Sequence, residues 1–180
     1  YVHNNGGHGI ICSQRCNNLT ITNNTSSNNA RNGVILHRNT NDSLVEGNIL
    51  YNNADSGIAI FDSHNNQISN NISKYNGKGI RLSVGSSNNI VENNILSENS
   101  KYGIYSYKGS DIPTSGDGRI KFNTLRNNAI NANVSVAAKI QQADSNIFEG
   151  NEFTGNNSYV AEIQDSNNNT FEKNILTGNT

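Results

Sequence analysis

Short apolar stretches recur along this chain at a fixed spacing, each flanked by asparagine, serine and glycine. One apolar column falls directly after a glycine: Ile10, Val34, Ile58, Ile80 and Ile104 follow Gly9, Gly33, Gly57, Gly79 and Gly103. Two residues further on stand Cys12, Leu36, Ile60 and Leu82. An apolar residue at every second position marks a strand whose side chains alternate between two faces. A second apolar column comprises Ile21, Val45, Ile68, Val91, Ile120, Phe148 and Phe171.

Three residues after each member of that second column lies an asparagine: Asn24, Asn48, Asn71, Asn94, Asn123, Asn151 and Asn174, at steps of about 23 residues apart from two longer ones. Five residues later a further series keeps step with it, Asn29, Asn53, Asn76, Asn99, Asn128, Asn156 and Asn179. A unit of this length buries its apolar face only by stacking on its neighbours. The pattern therefore predicts an all-β fold, a single right-handed parallel β-helix of about seven coils with roughly 23 residues per coil, occupying residues 1–180 as one domain. The hand follows the rule for parallel crossovers. Glycine and asparagine suit the coil corners because both tolerate left-handed backbone. Stacked asparagines are expected to form hydrogen-bonded ladders from coil to coil.

The regularity breaks between Asn94 and Asn123, where residues 108–119 (KGSDIPTSGDGR) carry the only proline among glycines and serines. This segment is expected to be a loop inserted in the wall. With 38 asparagines in 180 residues the chain is polar enough for disorder, but the regular Ile, Val, Leu and Phe positions argue for a packed core. Thirteen basic against 14 acidic residues leave a net charge of −1, which argues against nucleic acid or an anionic membrane as partner. An anionic ligand would need a local patch. Cys12 and Cys16 can bond only if the chain turns between them. A bonded pair suits an oxidising compartment, and two buried free thiols fit the spacing equally well. With no recognisable cap at either end, the solenoid is expected to offer edges on which further coils or another chain can stack.

Residues two and four places after the column glycines point outward. They are Ile11, Ile35, Ala59, Arg81 and Tyr105 in one column, and Ser13, His37, Phe61, Ser83 and Tyr107 in the other. At the strand ends beside them stand His8, Arg15, Arg38, Asp62, His64, Lys78, Tyr102 and Lys108. One face thus gathers cations and aromatics over the first five coils, and nothing comparable follows Asn131. Arginine grips carboxylates with paired bonds, and tyrosine stacks on rings and donates protons, so the face suits an extended anionic polysaccharide. Loop 108–119 is placed to cover it. The alternative is a solvent-facing sheet that is merely polar. No metal or cofactor is expected, because Asp42, Asp55 and Asp62 do not cluster as a calcium site requires.

The segment His8-Gly9-Ile10-Ile11-Cys12-Ser13-Gln14-Arg15, with NGVILHRN (32–39), SGIAIFDS (56–63) and KGIRLSVGSSNN (78–89), resembles the mannuronan C5-epimerases. The similarity is to periplasmic bacterial alginate epimerases and, more closely, to brown-algal relatives, and it spans about residues 1–125. It implies conversion of β-D-mannuronate to α-L-guluronate within alginate (polymannuronate), and an extracellular, cell-wall or periplasmic location. That chemistry needs neutralisation of the uronate carboxylate, a base at C5, and a proton donor on the other face of the ring. Polysaccharide lyases share the first two requirements.

By resemblance, Arg15 matches the arginine that neutralises the carboxylate, although bacterial members carry it one position earlier, at Gln14. His8 matches a cleft-lining position, Arg38 and Asn39 match the arginine–asparagine pair of the next coil, and His37 stands where bacterial relatives often have aspartate. The catalytic candidates are His8, Arg15, His37 and Tyr105. The substrate-binding candidates are Gln14, Arg38, Asn39, Phe61, Asp62, Arg81, Tyr107 and Lys108. The family's Asp-Pro-His motif, which contributes a catalytic histidine, would fall about one coil before His8, so the resemblance implies weak or no activity from residues 1–180 alone. The alternative is a non-catalytic β-helix that binds polysaccharide or serves a surface role.

Overall fold

Strands of two to six residues form at the apolar columns, and each ends at a polar corner. The computed structural model, which describes residues 1–180, contains no regular element other than strands. They assemble into three long parallel sheets. The first has eight strands, from Val2–His3 to Ile175–Thr177, the second seven, from Ile10–Cys12 to Ala161–Gln164, and the third seven, from Thr20–Thr22 to Thr170–Glu172. The solenoid therefore makes about eight turns rather than seven. The extra strand, Val2–His3, precedes the first column glycine, and Asn5 just after it opens the ladder that continues at Asn29.

Inward residues from the three sheets merge into one cluster of 21 buried apolar side chains. Ile21, Val45, Ile68 and Val91 stack in register as predicted, but Val91 pairs with Leu125 and not with Ile120. Ile120 instead faces Ala143 in a short two-stranded sheet. The asparagine columns need the same correction. Asn94 bonds Asn128 and Asn99 bonds Asn133, while Asn123 belongs to a third ladder with Asn66, Asn89, Asn146 and Asn169. The inserted loop lengthens this coil from 23 to 34 residues. Because Asn123, Asn128 and Asn133 are spaced five apart, a shift by one corner brings another asparagine into line.

Within a ladder each asparagine ties three coils together. Oδ1 of Asn71 accepts from the backbone N–H and Nδ2 of Asn48 at 2.9 and 3.0 Å, and its Nδ2 donates to Val45 O and Asn94 Oδ1 at 2.9 and 3.0 Å. All these atoms are buried, so each bond also avoids the cost of an unpaired polar group. The left-handed corner residue is not the ladder asparagine but the one before it: Asn23, Gly47, Asn70 and Asn93 precede Asn24, Asn48, Asn71 and Asn94. Nor do the column glycines have positive φ. At Gly33 a Cβ would come within 2.8 Å of both Gly57 O and Leu50 Cδ2. Close approach of successive coils excludes a side chain there.

Candidate functional site

The outward columns of the second sheet are in the predicted register. Ile11, Ile35, Ala59, Arg81 and Tyr105 align on successive coils, and beside them His37, Phe61, Ser83 and Tyr107. This face is not uniformly open, however. Ile35, Ala59 and Phe61 are buried with Val84 in a small apolar cluster of their own, and Ser83 is buried too. Loop 108–119 folds back over this end of the face. The Thr114 backbone N–H donates to Asp62 Oδ2 at 2.9 Å, and its hydroxyl lies 3.0 Å from both Asp62 Oδ1 and Asn39 Oδ1. Asp62, a substrate-binding candidate in the sequence, is fully buried and engaged in holding the loop.

Apart from Tyr105, Tyr107 and Lys108, which line neither, the remaining candidates fall into two neighbouring clefts. The larger, of about 450 Å³, brings His8 and His37 together with Arg31, Asp55, Phe61 and Arg81. The smaller, of about 160 Å³, is formed by Gln14, Arg15, Arg38, Asn39 and Thr114. Arg15 and His8, adjacent candidates in the sequence, thus line different clefts. Tyr105 and Tyr107 lie along the sheet with rings stacked at 4.5 Å, and Tyr102 is 5.1 Å from Tyr105. Lys108 packs by its aliphatic stem near Gly118 within the loop. A turn between Cys12 and Cys16, made by Arg15 at φ +52°, brings their Cα atoms to 6.2 Å, and the two are bonded.

Two cleft residues, Arg31 and Asp55, were not among the candidates. Each stands two residues before a column glycine, Gly33 and Gly57, as Lys101 does before Gly103. A charge at a fixed offset from the repeat was their only signal. Asp55 accepts from Lys78 Nζ at 2.5 Å and from Arg81 at 2.9 Å. Burial alone would raise its carboxyl, but Arg81 and Lys78 outweigh burial and hold it below the ordinary range. Arg81 Nε is buried with no partner.

Burial, and then the charges of Arg31 and Arg81, lower the His8 pKa, and burial chiefly lowers that of His37. His8 Nδ1 accepts from the Asn32 backbone N–H at 3.3 Å and lies 3.1 Å from Asn32 Nδ2. In the neutral ring the proton therefore sits on Nε2, which can donate but not accept. His37 is stacked on Phe61 at 4.6 Å, and the Arg38 guanidinium lies 5.7 Å from the same ring. Burial, reinforced by Tyr107 and Tyr102, raises the Tyr105 phenol and keeps it protonated.

A parallel β-solenoid with one cationic and aromatic face is the class that these features define. The chain belongs to the family described as right handed beta helix region, whose sequence profile matches residues 1–118, and its coil is right-handed as predicted. A comparison with curated proteins returns no match. Among solved structures it is similar to the A-module of the Azotobacter vinelandii mannuronan C-5 epimerase AlgE4, with a TM-score of 0.68 and 16% identity over 90% of this chain and 54% of that one. It is also similar to the periplasmic alginate epimerase AlgG, with a TM-score of 0.67 and 23% identity over 94% of this chain and 38% of that one. The AlgE6 A-module of the same bacterium follows at a TM-score of 0.60 and 15% identity, over 94% of this chain and 56% of that one. The chain thus spans about half or less of the length of these structures. At such identities the likeness is one of fold.

Proposed function

We propose that the groove on the second sheet binds alginate outside the cytoplasm and that the larger cleft inverts mannuronate at C5. The observation that carries this reading is the meeting of two histidines and two arginines in one cleft of about 450 Å³ on a solenoid face. The C5 proton becomes acidic only when the adjoining carboxylate is neutralised, a task assigned to Arg31 and Arg81. Arg15 and Arg38 take the carboxylate of a neighbouring sugar in the smaller cleft.

His37 is the base: half-buried, and neutral near pH 7 because burial lowers its pKa, it accepts the C5 proton while the electron pair of the broken C–H bond delocalises into the carboxylate. His8, whose Nε2–H can only donate, stabilises the charge that develops there. The proton returned to C5 from the opposite face comes from solvent water, because Tyr105, three coils from His37 and roughly 14 Å away at the usual strand spacing, faces a sugar further along the polymer. The disulfide and the periplasmic setting of one structural relative support an oxidising location.

Incubation with polymannuronate in heavy water, followed by mass spectrometry, tests the reading, because epimerisation places deuterium at C5. His37→Ala is expected to lower incorporation ~10²–10⁴-fold, the usual worth of a general base, with a smaller loss for His8→Ala. A second reading is favoured by Asp55, which already occupies Arg81 and Lys78: a module that holds alginate without turning it over. Salt-sensitive binding with no deuterium would establish that module and refute the enzyme. An unsaturated product would identify a lyase instead.

A further inference from the structure

The third corner of each coil imposes left-handed backbone, and its successive occupants are Asn18, Asp42, Asn65, Asn88, Phe122, Ser145 and Asn168. Every one except Phe122 is a short polar residue that accepts this conformation at low cost. Phe122, at φ +58°, is an aromatic for which it is strained. Burial does not compensate, because the side chain is 58% exposed. An outlier of this kind, set against its equivalents in the same molecule, points to a use for the ring outside the fold.

Phe122 is the single apolar residue lining a cleft of about 400 Å³ between the second half of the inserted loop and the corners of the two preceding coils. This cleft shares no lining residue with either cleft of the groove. His64, which the sequence grouped with the groove, lies here in register with Ser87 and Lys121 on successive coils, its Nδ1 at 2.8 Å from Ser87 Oγ. The charges are already matched: Lys121 pairs with Asp117 at 2.7 Å, and Arg119 is gripped by Asp144. What remains is a set of hydroxyl, amide and carboxylate groups around one exposed aromatic face, with no surplus cation.

We propose that this cleft is a binding subsite for a neutral hexopyranose unit of a glycan. The apolar face of the sugar stacks on Phe122, and its hydroxyls bond Ser87, Asn88 and Asp117. An anionic ring would find no free positive partner, which separates this subsite from the groove.

Calorimetric titration of the full chain with mannotetraose and cellotetraose, and with the mannuronate tetramer for comparison, tests the assignment. At least one neutral tetrasaccharide is expected to bind with little salt dependence. Phe122→Asn, which restores the residue type of its column, should weaken that binding roughly tenfold, the worth of one stacked ring, and should raise the melting temperature as the strain is relieved. Phe122→Tyr should retain binding, and Arg81→Ala in the groove should leave it unchanged. The proposal is overturned if neither neutral sugar binds, if Phe122→Asn binds as well as wild type, or if that variant melts earlier, which would make the ring a structural element. A Phe122-dependent, salt-sensitive preference for the mannuronate tetramer would overturn the neutral assignment.

Discussion

A single asparagine in this protein does the work of several backbone partners, and its neighbour bears the conformational cost. Asn71 satisfies Asn48 on one side and Val45 and Asn94 on the other, all in the dry interior. Replacing it with alanine strands the buried Asn48 N–H and takes the side-chain donor from the Val45 carbonyl. We expect Asn71→Ala to lower the unfolding free energy by ~2–4 kcal/mol in chemical denaturation, from one or two unmet polar groups at ~1–3 kcal/mol each. A change within about 0.5 kcal/mol, typical of a surface position, would contradict the ladder's role. The ladders were legible in the sequence because side-chain amides recur at one spacing. The division of labour at each corner was not, because consecutive asparagines such as Asn70 and Asn71 are chemically identical and only the backbone distinguishes them.

At the level of elements, the inserted loop is tied to the groove face by a single threonine, while Arg119 at its far end is held by Asp144. Thr114 supplies both hydrogen bonds that the fully buried Asp62 carboxylate receives from the loop. Thr114→Val removes the hydroxyl and its bonds to Asp62 and Asn39 and is expected to cost ~1–3 kcal/mol, since a buried acceptor is left short of a donor. Trypsin cleavage after Lys108 or Arg119 should accelerate in the variant, and equal cleavage rates would show that the loop is held by other means. Proline and glycine announced this loop in the sequence. Its anchor was invisible there, because Thr114 and Asp62 lie 52 residues apart and no repeat relates them.

Over the whole molecule, protonation and folding are linked in one direction. The pKa values of His8, His37 and His64 are all lowered, in each case chiefly by burial. The unfolded chain therefore takes up protons first as pH falls. This part of the stability is complete above about 6.5, the unfolded histidine value, and declines below it. A second decline follows below about 3.9, the unfolded aspartate value, because Asp144 is held at about 2 by its bond to Arg119 and Asp55 is held low by Arg81 and Lys78. Denaturant titrations from pH 8 to 3 should show both falls, and stability that rises between pH 7 and 5 would contradict the linkage.

The sequence by itself determined the repeat, the inward columns and the outward register of the second sheet. A coil that buries its face only against its neighbours must present the same residue types at the same positions every turn. Tertiary structure alone decided three further matters. It set which asparagine follows the insertion, because corners five residues apart are interchangeable in the sequence. It divided the cationic face into separate clefts, with His8 beside His37, Arg15 beside Arg38 and His64 away from both, because that depends on how the loop lies across the sheet. It also decided that Phe122 is strained and exposed while Phe148 and Phe171, one coil apart, stack at 4.5 Å, since the same side chain serves opposite ends according to the backbone beneath it.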